Sequence, residues 1–125
     1  MLILNNNGNL DGINTVTFGD VGDTGVIAVT NVWGYFSGPV QLRELVEWDM
    51  LLNDASFTFG DATLDASKMD FLNIFTHEQG HSTGLNDQYS GSCSLVTMYG
   101  YSTEGEIIKR TLESPDIKGI QTLYT

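Results

Sequence analysis

Over the first half of the chain the apolar residues alternate with polar ones or run in short blocks, the period of strands rather than helices. Thr15-Val16-Thr17-Phe18 alternates and ends at Gly19, and the Asn- and Gly-rich stretch from Asn5 to Gly12 ahead of it favours turns. Val26 to Trp33, nearly all apolar and β-branched between Gly25 and Gly34, predicts a second strand. Leu42 to Leu52 fits two periods. Val46, Trp48, Met50 and Leu52 alternate with Glu47 and Asp49, while Leu42, Leu45 and Val46 also suit a helix; we read it as a strand. Past the loop with Gly60 and Asp61 the period changes. Ser67 is placed to cap a helix bearing Met69, Phe71, Leu72, Ile74 and Phe75, an apolar surface broad enough to predict burial. That helix runs on through His77, Glu78 and His81. Gly84 ends it, because glycine accepts the left-handed conformation of a reversing chain, and Asp87 lies beyond. Ser114 as cap, Pro115 at the first helical position, and Ile117, Ile120, Leu123 and Tyr124 at helical spacing predict a terminal helix packed by one face.

Composition narrows the function classes. The 125 residues fit one domain, and 41% apolar with 17% charged residues is globular composition despite 14 glycines. A net charge of −11 from 16 acidic and 5 basic residues repels phosphate backbones and anionic membrane surfaces, so nucleic acid and membrane are excluded as partners. Solubility in a secreted or salt-exposed protein accounts for that charge, with bound calcium as an addition. Cys93 is the single cysteine, which removes internal disulfides and thiolate zinc clusters. Met1-Leu2-Ile3-Leu4 lacks the charged start and apolar length of a secretion signal, and no apolar run approaches a membrane span. Any export signal lies outside this chain. No internal repeat or proline-rich linker interrupts it, and Pro39 and Pro115 sit at element boundaries.

The candidate chemistry lies in His77-Glu78-Gln79-Gly80-His81. Histidines four residues apart on a helix differ by one turn plus about 40°, so both imidazoles leave the same side and can share a metal ion. Glu78 is offset by roughly 100° from His77, beside the metal rather than on it, where it can take a proton from a metal-activated water. Zinc with two nitrogens needs a further protein ligand, and Asp87 supplies an oxygen three residues after the glycine bend. A lone His-Glu-x-x-His arises by chance in ordinary helices. Here His77 and His81 are the only histidines in the chain, and Gly84 and Asp87 extend the pattern.

The run from His77 to Asp87 resembles the extended zinc signature of the metzincins, with aspartate in the last position as in the small snapalysin-type proteases and some bacterial matrixin-like sequences. Ser94-Leu95-Val96-Thr97-Met98-Tyr99-Gly100-Tyr101 resembles the Met-turn, with Met98 the matching residue, and Tyr101 is similar to the wall of the pocket for the residue after the scissile bond. Ser114 to Tyr124 resembles the terminal helix of matrixins. Upstream, Val26 to Trp33 looks like the sheet-edge strand along which substrate pairs, and Val46 to Asn53 like a matrixin strand. The likeness spans about Ile13 to Tyr124.

The resemblance implies an α+β, zincin/metzincin-like catalytic domain: a small twisted mixed sheet packed on an active-site helix, then the Met-turn and a C-terminal helix. One domain would fill residues 1–125, with an upper part (1–83) and a lower part (84–125), and without the strand and long helix that usually open matrixin domains. It further implies an extracellular, monomeric zinc endopeptidase acting on protein or peptide substrates, one catalytic zinc on His77, His81 and Asp87, and Glu78 as general base. A second, histidine-held structural zinc is excluded by the histidine count. Calcium could use Asp20, Asp23, Asp61 or Asp65, and Cys93 reads as a small buried residue. The rival readings are a zinc-binding but inactive or truncated domain, and an acidic calcium-binding β module with an accidental histidine pair.

Overall fold

The alternating residues of the first half build a three-stranded sheet from Thr15–Gly19 (β1), Ala28–Tyr35 (β2) and Glu44–Asn53 (β3), in the order β1-β3-β2. The computed structural model describes residues 10–125, so most of the turn-rich Asn5 to Gly12 stretch, and Met1 to Leu4, lie outside the described residues. β1 is parallel to β3, with Val16 opposite Met50 and Phe18 opposite Leu52. β2 is antiparallel to β3, with Ala28 opposite Leu52 and Thr30 opposite Met50. These residues therefore share one face, since side chains alternate along a strand. The core forms on that face from Ala28, Met50, Leu52, Met69 and Ile74.

β2 starts two residues later than its apolar run and continues through Gly34, which was expected to bound it. The ladder shifts register between Trp33 and Gly34, and a Cβ at Gly34 would sit 2.3 Å from the Glu44 carbonyl oxygen, so glycine admits the bulge. β3 settles the ambiguous segment as a strand; Leu42 lies just before it in a 3-10 turn, Val40–Leu42. The opposite face of β3 is not a solvent face. Glu47, Asp49 and Asn53 are buried there. Glu47 accepts from the Asp11 (3.1 Å) and Gly12 N–H groups, Asp49 from Thr15 N–H (2.9 Å), and the Asn53 amide donates to Asp23 O (3.0 Å) and Val26 O (2.8 Å). Polar side chains thus take up the backbone groups of the loops around β1 and β2, which would otherwise be buried unpaired.

Phe71–Ser82 forms the helix α1, and its start corrects the sequence expectation. Asp70, not Ser67, is the cap, accepting from Asn73 N–H at 2.8 Å. Ser67 instead closes a local turn onto Asp65, and Met69 belongs to a strand, Met69–Asp70 (β5), paired in parallel with Phe59–Gly60 (β4). The broad apolar surface is only partly covered. Ile74 is in the core, Phe71 and Phe75 stack on each other beside Phe18, and Leu72 is 47% exposed. The last helix, Ser114–Tyr124 (α2), is capped by Glu113 rather than Ser114, in a capping box with Asp116. Its expected apolar face is largely open: Ile117, Leu123 and Tyr124 are exposed. The helix is held instead by buried Asp116, by Gly119 against Leu85, and by the Tyr124 hydroxyl donating to Thr83 O at 2.7 Å.

Asp70 also accepts from Ala62 N–H (2.9 Å) and from the Arg110 guanidinium through Nε (2.9 Å) and a terminal nitrogen. Arg110 above all, helped by the backbone N–H groups, outweighs burial and holds the Asp70 carboxyl at about 2, from the usual 3.8. A depressed carboxyl stabilises the fold above its unfolded-state value and loses that contribution as pH falls through the folded one. The gap corresponds to roughly 2 kcal/mol. Urea midpoints are therefore expected to drop between pH ~4 and pH ~2, with a shallower drop in Asp70→Asn; equal slopes in the two proteins would refute this.

Candidate metal centre

α1 places His77, Glu78 and His81 in the interior, all three buried. His77 Nδ1 lies 2.7 Å from Thr97 O and His81 Nδ1 lies 2.8 Å from Leu85 O. A carbonyl oxygen can only accept, so each Nδ1 carries the hydrogen and each Nε2 presents a lone pair to the site. Gly84, at φ 99°, then reverses the chain. That reversal brings Asp87 Oδ1 to 2.9 Å from His77 Nε2 and 3.3 Å from His81 Nε2. With no metal bound, burial would raise the Asp87 carboxyl, but hydrogen bonds from His77 and His81 in their protonated forms outweigh it and hold it far below the carboxylate range. Burial likewise would lower His81, and the Asp87 and Glu78 carboxylates outweigh it and raise it.

These separations suit a metal. Ligand atoms about 2.1 Å from a tetrahedral zinc stand roughly 3.4 Å from one another, near the spacing of the two Nε2 atoms from Asp87. His81 Nε2 is buried, and within the described residues the Asp87 carboxylate faces it at 3.3 Å. Ligand atoms of His77, Glu78 and His81 lie within 4.8 Å of one another, the one such grouping among the described residues.

Beneath α1 sits Met98, buried against Gly80, where an added Cβ would come 2.0 Å from the methionine sulfur. Its segment is tied to α2. Thr97 N–H and Met98 N–H donate to the Asp116 carboxylate at 3.0 and 3.2 Å, and Thr97 O in turn receives His77. A cavity of about 420 Å³ opens beside His77 and Glu78, between Val26 to Ala28 on one side and Tyr99 and Tyr101 on the other. Tyr101 lines it while 62% exposed, packed edge-on against Tyr89 and Tyr99. Lys109 also lines it, only 1% exposed, donating to Tyr101 O at 2.8 Å and paired with Glu106.

The matrixin family profile matches residues 21–125. This chain belongs to the matrixin family. Neither the comparison with curated proteins nor that with solved structures gives a match. Membership agrees with the α+β build, a mixed sheet with two helices of which one is C-terminal, and with a metalloprotease-like domain whose His-Glu-His cluster suggests zinc. Matrixins are peptidases, and the family is generally extracellular. No helix among the described residues is long and apolar enough to cross a membrane.

The four aspartates named as calcium candidates accept hydrogen bonds within their own loops. Asp20, Asp23, Asp61 and Asp65 accept from Gly22, Gly25, Thr63 and Ser67 N–H groups, and Asp61 also meets Arg110 at 3.0 Å. Cys93, expected to be buried, is half-buried in the 3-10 turn Gly91–Cys93. Three residues that the sequence did not single out shape the site: Thr30, whose hydroxyl donates to Glu78, with Lys109 and Asp116. Only Asp116 carried a signal, three residues after Glu113 in a capping pattern.

Proposed function

We propose that this matrixin is a zinc-dependent endopeptidase, with one zinc held by His77, His81 and Asp87 and with Glu78 as general base. The observation that carries it is the meeting of two imidazole Nε2 lone pairs and a carboxylate oxygen at 2.9 and 3.3 Å. Two nitrogens and one oxygen at this spacing are a donor set for a divalent cation, and the backbone carbonyls behind the imidazoles already fix the tautomers that a metal needs. A bound zinc would supply the positive charge that acidifies water and polarises a peptide carbonyl. Glu78, beside that position, accepts the proton of the attacking water and delivers it to the leaving amine. Among the described residues β2 lies at the sheet edge next to the cavity, which suits an extended substrate pairing along it. Met98 supplies the floor, Tyr101 flanks the side-chain pocket, and protein or peptide substrates outside the cell are the targets.

His81→Ala is expected to abolish zinc binding and casein cleavage together. Zinc analysis and a casein digest on the intact chain test this. A wild-type chain that holds one zinc yet leaves casein uncut would instead be a binding domain.

A further inference from the structure

We propose that Thr30 is a positioning residue that keeps the Glu78 carboxylate beside the metal position and out of its ligand set. The inference rests on the zinc-site reading above. Glu78 is chemically able to be a ligand, since its carboxylate and the imidazoles of His77 and His81 all lie within 4.8 Å of one another. A carboxylate coordinated to the ion has given up the lone pair that a general base uses. Restraint must therefore come from the surroundings of Glu78, and one restraint is visible: the Thr30 hydroxyl donates to Oε2, with both side chains buried.

Thr30 is fully buried in β2, on the face that packs against α1, between Ala28 and Val32 of the same strand. Valine has nearly the same shape, so packing alone gives no reason for a hydroxyl there. The hydroxyl is satisfied by Glu78, whose sequence distance of 48 makes it a link between sheet and helix. A β-branched side chain in a strand is stiff about its first torsion, so the sheet sets where the donor points. One carboxylate oxygen is fastened to the sheet, and the other is left to face water and substrate.

Cobalt substitution of the full chain tests this, because its visible absorption reports coordination number. Thr30→Val is expected to free Glu78 to join the ion, roughly halving that absorption as coordination rises above four, and to lower kcat on casein about tenfold with KM little changed. Thr30→Ser, which returns the hydroxyl, is expected to recover the wild-type spectrum. An unchanged Thr30→Val spectrum overturns the proposal, as does a serine variant that behaves like valine. Spectra that change as expected in a chain that leaves casein uncut refute the protease reading and leave this one standing; a chain that takes up no cobalt refutes both.

Discussion

Replacing Glu78 with glutamine is expected to lower kcat on casein by roughly 10²- to 10⁴-fold, the range a positioned general base contributes, while one zinc stays bound. Glutamine has almost the same shape, and its amide oxygen can still receive the Thr30 hydroxyl, so the side chain keeps its place between sheet and helix. What it loses is the capacity to hold a proton. His77, His81 and Asp87 are untouched, so metal content measured on the variant should equal that of wild type. The loss should fall on kcat with KM nearly constant, as expected for an interaction made in the transition state. Cleavage within about tenfold of wild type would remove Glu78 from the chemistry.

Asp116→Ala is expected to be the most damaging single change to stability, at about 3 kcal/mol. Its buried carboxylate receives the N–H groups of Thr97, Met98 and Glu113, and a hydrogen bond to a charged group contributes roughly 1.5–3 kcal/mol before sharing among partners. Alanine leaves the Thr97 and Met98 N–H groups in the interior with nothing to meet them, and frees that of Glu113 at the surface. Because Thr97 O also orients His77, zinc affinity should fall with stability although Asp116 touches no candidate ligand. Urea unfolding and zinc titration of the variant measure both. A stability loss below about 0.5 kcal/mol, the level of an ordinary surface change, would contradict the assignment.

Legibility in the sequence followed the range of the interactions. Alternation marks β1 and β3, and the histidine spacing, Gly84 and Asp87 put three side chains within reach of one another from the sequence alone. Ser67 and Asp70 are both good caps three residues apart, and local chemistry does not separate them. The choice falls to Asp70 because Met69 pairs with Phe59 and because Arg110 arrives from 40 residues away. Glu47 and Asp49 look like the wet side of a strand, yet the loops around them close over the sheet and turn them into interior acceptors. α2 shows the reverse, since Ile117 and Leu123 have the spacing of a buried face and stay exposed while Asp116 is interior. Thr30 and Lys109 gave no signal, each being defined by partners brought near only by the folded chain.

Gly80 and Met98 carry a last consequence, for how this sequence can drift. With 2.0 Å between a would-be Cβ and the methionine sulfur, the first position has no room for even a methyl group while the second keeps its length. Gly80 cannot be exchanged on its own account: a side chain at position 80 demands a shorter one at 98, so α1 can gain bulk there only after the turn below it has given way.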